Sequence, residues 1–179
     1  GHRRERLLAL RRELVVIERD LADLERRAEE PRHVVRVVLH EIEQPEELTG
    51  SPIQADKPVG LWGGSSCLYI PLDKNSCDSA QQQIPPVKAM GNEYAAVRYR
   101  GRMGMDEVIP WRIVGAVDGT QLVWDPAPPA GVPATIDLGT VVEFMSTGPF
   151  VVKSQNPAHP FHLSAYMTGG ESFDSEGDP

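Results

Sequence analysis

Residues 58–91 read PVGLWGGSSCLYIPLDKNSCDSAQQQIPPVKAMG, and they hold both cysteines of the chain, the Gly63-Gly64 pair, Trp62 and the Pro85-Pro86 pair. Aromatic and β-branched residues favour strands, whereas paired glycines and prolines interrupt them. The stretch therefore predicts a short strand at 59–62 ended by the glycines, a polar loop between Cys67 and Cys77, and a Pro-Pro turn into a further strand. Cys67 and Cys77 would close a ring of eleven residues if bonded, restricting the unfolded chain by about 2.5–3 kcal/mol on the entropic account. A disulfide is the leading reading. Buried free thiols and a metal or redox pair are its rivals, although the spacing is not C-x-x-C and no third cysteine is present to complete a zinc site.

Outward from this stretch the same punctuation continues. The chain has 179 residues with 16 prolines and 16 glycines, nearly all beyond residue 30, which is the pattern of short strands broken by turns around one core. Strands are expected at 33–42, 51–54, 93–100, 111–117, 120–124, 134–144, 150–154 and 161–168, with a proline-rich loop at 125–133. Asp118-Gly119 suits a tight hairpin turn between 111–117 and 120–124. The segments ELTGSPIQADKPVGLWGG and DLGTVVEFMSTGPFVV echo one another, which suggests a sheet assembled from similar hairpin units. The expected fold class is mainly β, an antiparallel β-sandwich or multi-sheet assembly of hairpin units, preceded by one long N-terminal α-helix.

That helix is read from residues 3–30, which lack Gly and Pro. Leu7, Leu10, Leu14, Ile17, Leu21 and Leu24 recur at alternating spacings of three and four, a heptad seam of about three repeats. Pro31 would stop it. A parallel dimer through this seam would place Arg6 with Arg11, Glu13 with Glu18 and Asp20 with Glu25, all like-charged, so an antiparallel pairing or docking onto the β body is expected instead. The expected organisation is a helix at 1–31, a β-rich domain at 32–170 and an acidic tail at 171–179.

Charge divides the chain in the same place. Residues 1–36 carry ten arginines and eight acids, while the remainder carries eight bases against eighteen acids. An acidic body repels phosphate backbones, which argues against nucleic-acid binding. No apolar run approaches the length of a membrane-spanning helix. Arg98, Arg100 and Arg102 in RYRGR form the one basic cluster of the acidic body; alternating on one strand face, they present either a solvated edge or a docking patch for an acidic partner.

Residues able to do chemistry are sparse. Gly63-Gly64-Ser65-Ser66 lacks the G-x-S-x-G elbow of a serine hydrolase. His159 and His162 stand three apart, a spacing that on a strand points them to opposite faces and serves a metal poorly. Trp62, Trp111 and Trp124 each lie in or beside a predicted strand and are read as core packing. No catalytic, cofactor-binding or metal residues are expected.

The run PVGLWGGSSC, Cys77-Asp78, QQQIPPVKAMGNEY and HPFHLSAYMTGG together resemble the β-rich domain found at the N-terminal end of IgGFc-binding protein and in many bacterial secreted proteins. Cys67, Cys77, Asp78, Gln83, Pro85, Pro86, Val87 and Gly91 match the places of that pattern. Ser65 and Ser79 stand where many relatives have His, and Met90 stands in place of a Trp. The resemblance covers about residues 47–179 and does not include the leucine-rich segment. It implies a non-catalytic extracellular or cell-surface module that binds a protein or glycan, or serves a structural role there. No signal-peptide pattern opens the sequence, so secretion would require a leader outside it. The alternatives are an intracellular assembly module acting through the heptad helix and, further back, a hydrolase of polysaccharide or protein.

Overall fold

The computed structural model describes residues 12–19, 37–44, 48–69, 77–102 and 106–169. The described residues fall into two compact units, one within Gly1–Leu48, Ile53–Leu68 and Asp78–Pro85, the other within Thr49–Pro52, Tyr69–Cys77 and Pro86–Pro179.

The first unit is a four-stranded antiparallel sheet made of β1 (Arg12–Arg19), β2 (Val37–Gln44), β3 (Val59–Leu68) and β4 (Asp78–Ile84), in the order β2-β1-β3-β4. This overturns the long N-terminal helix, because β1 lies in the middle of the segment read as helical. Its run Leu14-Val15-Val16-Ile17 contains three β-branched residues in four, whose stiff side chains suit a strand better than a helix. A continuous apolar run of this length also fits an inner strand, a reading that periodicity alone does not separate from a helix. Register completes the case: Val16 stands opposite His40 on β2 and Leu61 on β3, so the backbone is paired on both sides. Leu14 and Ile17 are thus strand residues, which breaks the heptad seam proposed for self-association at both described positions. Leu7, Leu10, Leu21 and Leu24 lie outside the described residues, as does the acidic tail 171–179.

β3 does not end at Gly63-Gly64 as expected but continues to Leu68. The glycines are used for close approach: a Cβ on Gly63 would sit 3.2 Å from Ile84 Cδ1. Trp62, read as core, is instead 42% exposed. Residues 51–54 form no strand and are exposed.

The second unit packs two sheets around one core. After a 3-10 turn at Val87–Ala89 come β5 (Glu93–Ala96), β6 (Ile109–Gly115), β7 (Thr120–Asp125), β8 (Thr135–Ile136), β9 (Val141–Ser146), β10 (Phe150–Ser154) and β11 (Phe161–Ala165). One sheet runs β5-β10-β7-β8 and the other β11-β6-β9. Period-2 patterning builds the interior. In β6, Ile109, Trp111, Ile113 and Gly115 are buried while Pro110, Arg112 and Val114 are only partly so. In β10, Phe150, Val152 and Ser154 are buried. Aromatic rings join the two layers: Trp111 lies 5.0 Å from Phe150, and Trp124 lies 5.5 Å from Phe144 and 5.3 Å from Phe150, centroid to centroid. Trp111 and Trp124 are therefore the core residues the sequence suggested.

The hairpin expected across Asp118-Gly119 is not formed, since β6 and β7 belong to different sheets. The backbone of Gly115 is committed to the turn before β9, donating to Thr140 O at 2.9 Å and accepting from Gly139 N at 2.9 Å. β7 instead pairs with β10 and β8. The expected strand at 134–144 is likewise split by a turn at 137–140, so the repeated-hairpin picture is replaced by pairings distant in sequence. The echoing segments do meet: Gly50 and Gly139 both take positive φ, and a Cβ on Gly50 would lie 2.4 Å from Gly139 O. Only glycine tolerates that conformation at that distance.

Tyr94 anchors the start of β11. Its hydroxyl accepts from Gly91 N at 2.9 Å and donates to Phe161 O at 2.7 Å, while its ring packs 5.0 Å from Phe161. Tyr94→Phe keeps the ring and removes both bonds. It should cost about 1–2 kcal/mol, read from the urea-unfolding midpoint; an unchanged midpoint would show that water replaces the hydroxyl freely.

Candidate functional site

The basic cluster singled out in the sequence does not lie on a strand, because β5 ends at Ala96. Past that point the three arginines take different environments.

Arg102 is internal. Its side chain is 10% exposed, against 3% for its partner Glu107. Arg102 Nη2 donates to Glu107 Oε1 at 2.5 Å, and to Thr168 O and Oγ1 at 2.7 Å each. Its Nε reaches Glu107 Oε2 at 3.3 Å. Thr168 Oγ1 donates to Glu107 Oε1 at 2.9 Å, and the Tyr99 hydroxyl donates to the same oxygen. Burial by itself would push the Glu107 carboxyl up. The hydrogen bonds from Arg102, Tyr99 and Thr168 outweigh it and hold the group at about 2. The Tyr99 hydroxyl is pushed up to about 12, first by burial and then by its bond to Glu107. This cluster ties Tyr99, Arg102 and Glu107 to Thr168.

Arg98 is half-buried, its side chain 23% exposed, while Arg100 lies at the surface. They line an open groove of about 480 Å³ together with Val97, Tyr99, Gly101, Asp106 and the turn Thr147-Gly148-Pro149. Arg98 pairs with Asp106, whose side chain is 89% exposed. Arg98 Nη1 is buried without a hydrogen-bond partner among the described residues. Arg100 is exposed. Val97 is 73% exposed, the largest value among the exposed large hydrophobic side chains described. Sequence reasoning missed the 147–149 wall; the positive φ of Gly148 before Pro149 is what turns the chain there, and the Gly-Pro pair was the available signal.

Cys67, near the end of β3, and Cys77, immediately before β4, are disulfide-bonded. The bond closes the connection between two antiparallel neighbours whose register shifts between Ser65 and Leu68. The double variant Cys67→Ser/Cys77→Ser should lose about 2.5–3 kcal/mol of stability, measured by guanidinium unfolding beside the oxidised chain. A thiol assay on denatured, unreduced protein should find no reactive sulfur.

The other sequence candidates are dispersed. Ser65 is buried, and its Oγ accepts from Cys67 N at 3.4 Å. His159 Nδ1 lies 3.0 Å from Asn156 Oδ1 in the turn before β11, and His162, on β11, has its pKa lowered by burial. Among the described residues no group of three His, Cys, Asp or Glu side chains is placed to hold a metal, and no helix is long and apolar enough to cross a membrane.

No curated protein and no solved structure gives a significant match to the chain. The profile of one family, described as IgGFc binding protein, matches residues 32–179. That match spans most of the sequence and takes in the disulfide and both sheets of the second unit, so the chain belongs to the IgGFc-binding protein family.

Proposed function

We propose that this chain is a non-catalytic extracellular module that binds a protein partner. The observation that carries the reading is the family match over 32–179. The Cys67–Cys77 disulfide supports it, because such bonds persist in oxidising compartments outside the cytosol. IgG Fc is the first probe because the family description names it. The groove lined by Arg98 and Arg100 is the proposed contact surface.

The test is surface plasmon resonance of the oxidised, immobilised chain against IgG Fc and a panel of purified extracellular glycoproteins. Saturable binding to at least one analyte is expected, with that analyte recovered at unchanged mass. Cleavage of the analyte would replace the binding reading with a catalytic one. A panel without saturable binding would remove it.

A further inference from the structure

Resting on that binding reading, we infer that the groove past β5 takes an extended acidic peptide segment of a protein partner. Its carboxylates would pair with Arg98 and Arg100, and an apolar side chain would sit against Val97 and Pro149.

Charge complementarity is the first argument. Beyond residue 36 the chain carries ten more acids than bases, yet two arginines two positions apart line one groove. Such a local reversal of sign steers a negative partner to one place on an otherwise repelling surface. Arg100 has no ion-pair partner among the described residues. Among the described residues Arg98, its side chain 23% exposed, pairs with Asp106, which is 89% exposed, and solvent on the acid's side weakens the pair. Guanidinium groups bind carboxylates through two parallel N–H donors, a contact that the exposed Arg100 offers to an incoming carboxylate.

Wall chemistry is the second argument, and it favours a peptide over a free anion or a sulfated sugar. Val97 is 73% exposed and shares the groove with Pro149. An anion alone would leave both uncovered, whereas a peptide alternating acidic and apolar residues uses both features. The third argument is preorganisation. Arg102, bonded to Glu107 and Thr168, anchors the segment that carries Arg98 and Arg100, which lowers the ordering cost of binding.

Fluorescence anisotropy with a fluorescein-labelled hexapeptide of alternating Glu and Val, against its Gln-for-Glu counterpart, tests the assignment. The Glu peptide should bind roughly tenfold more tightly, with affinity falling as salt rises. Arg100→Glu should weaken it by roughly tenfold or more without moving the unfolding midpoint, and Val97→Ser should weaken it by roughly threefold. Three results would each overturn the inference: equal affinity for the two peptides or no binding of either, undiminished binding by Arg100→Glu, and tighter binding of a sulfated oligosaccharide than of the Glu peptide. Arg100→Glu is also run against the protein analytes above. If it leaves their binding intact while the peptide result is negative, the groove assignment falls and the binding-module reading stands.

Discussion

Glu107→Gln is expected to lower stability by roughly 3 kcal/mol at neutral pH. The figure follows from a carboxyl held at about 2 against an ordinary 4.5 and from the value of a pKa unit in free energy. Removing the negative charge leaves the Arg102 guanidinium in a site only 10% exposed, and stripping one partner from a buried pair typically costs about 3–5 kcal/mol. The sign of the pH dependence is set by the depressed folded value. The contribution is fully present above the unfolded pKa near 4.5 and is lost as pH falls through about 2. Guanidinium unfolding of both proteins at pH 7 and at about pH 2.5 should therefore show a wide gap that narrows in acid. A gap independent of pH would mean that the variant acts through packing. Asp106→Asn is the contrast, because Asp106 is 89% exposed and an ion pair open to solvent contributes at most about 1 kcal/mol.

Phe150→Ala should cost about 3–5 kcal/mol, the range for removing a buried aromatic. Phe150 is 6% exposed and touches Trp111, Trp124 and Phe144, at centroid distances of 5.0, 5.3 and 5.7 Å. It is thus the ring shared by both layers of the second unit. In thermal unfolding the loss should appear as a Tm lower by roughly 10 °C. Val123→Ala lies on β7 of the same sheet, but its side chain is 53% exposed; it should change stability by no more than about 0.5 kcal/mol. Similar losses from the two variants would contradict the assignment of the core.

Local patterning made much of the second unit legible. The strand expected at 111–117 overlaps β6 and the one expected at 150–154 coincides with β10, and both bury alternate residues. The cysteine pair was legible as well, because few chemistries suit two cysteines ten positions apart. The basic cluster was legible only as composition. RYRGR assigns the same character to three arginines, yet a glutamate five residues after Arg102 takes that one inside, and only the other two reach the groove. The Gly148-Pro149 pair marks a turn, but nothing near it in sequence sets that turn opposite Arg98 and Arg100.

The N-terminal segment shows the limit of periodicity. Spacings of three and four in a leucine-rich run describe a helical stripe, but Leu14-Val15-Val16-Ile17 is also a run of strand formers. The decision between them belonged to β2 and β3, which pair with β1 along its length. Sequence alone therefore pointed to most strands of the second unit, made a disulfide the leading reading for Cys67 and Cys77 and determined the acidic character of the body, because each depends on residues near one another or on simple counts. Which strands pair, which tryptophan is left outside and which arginine is consumed internally were decided by tertiary structure. Backbone hydrogen bonds and buried charges are satisfied by whatever partner the fold brings near, whether distant along the chain, as Thr168 is from Arg102, or close by, as Glu107 is.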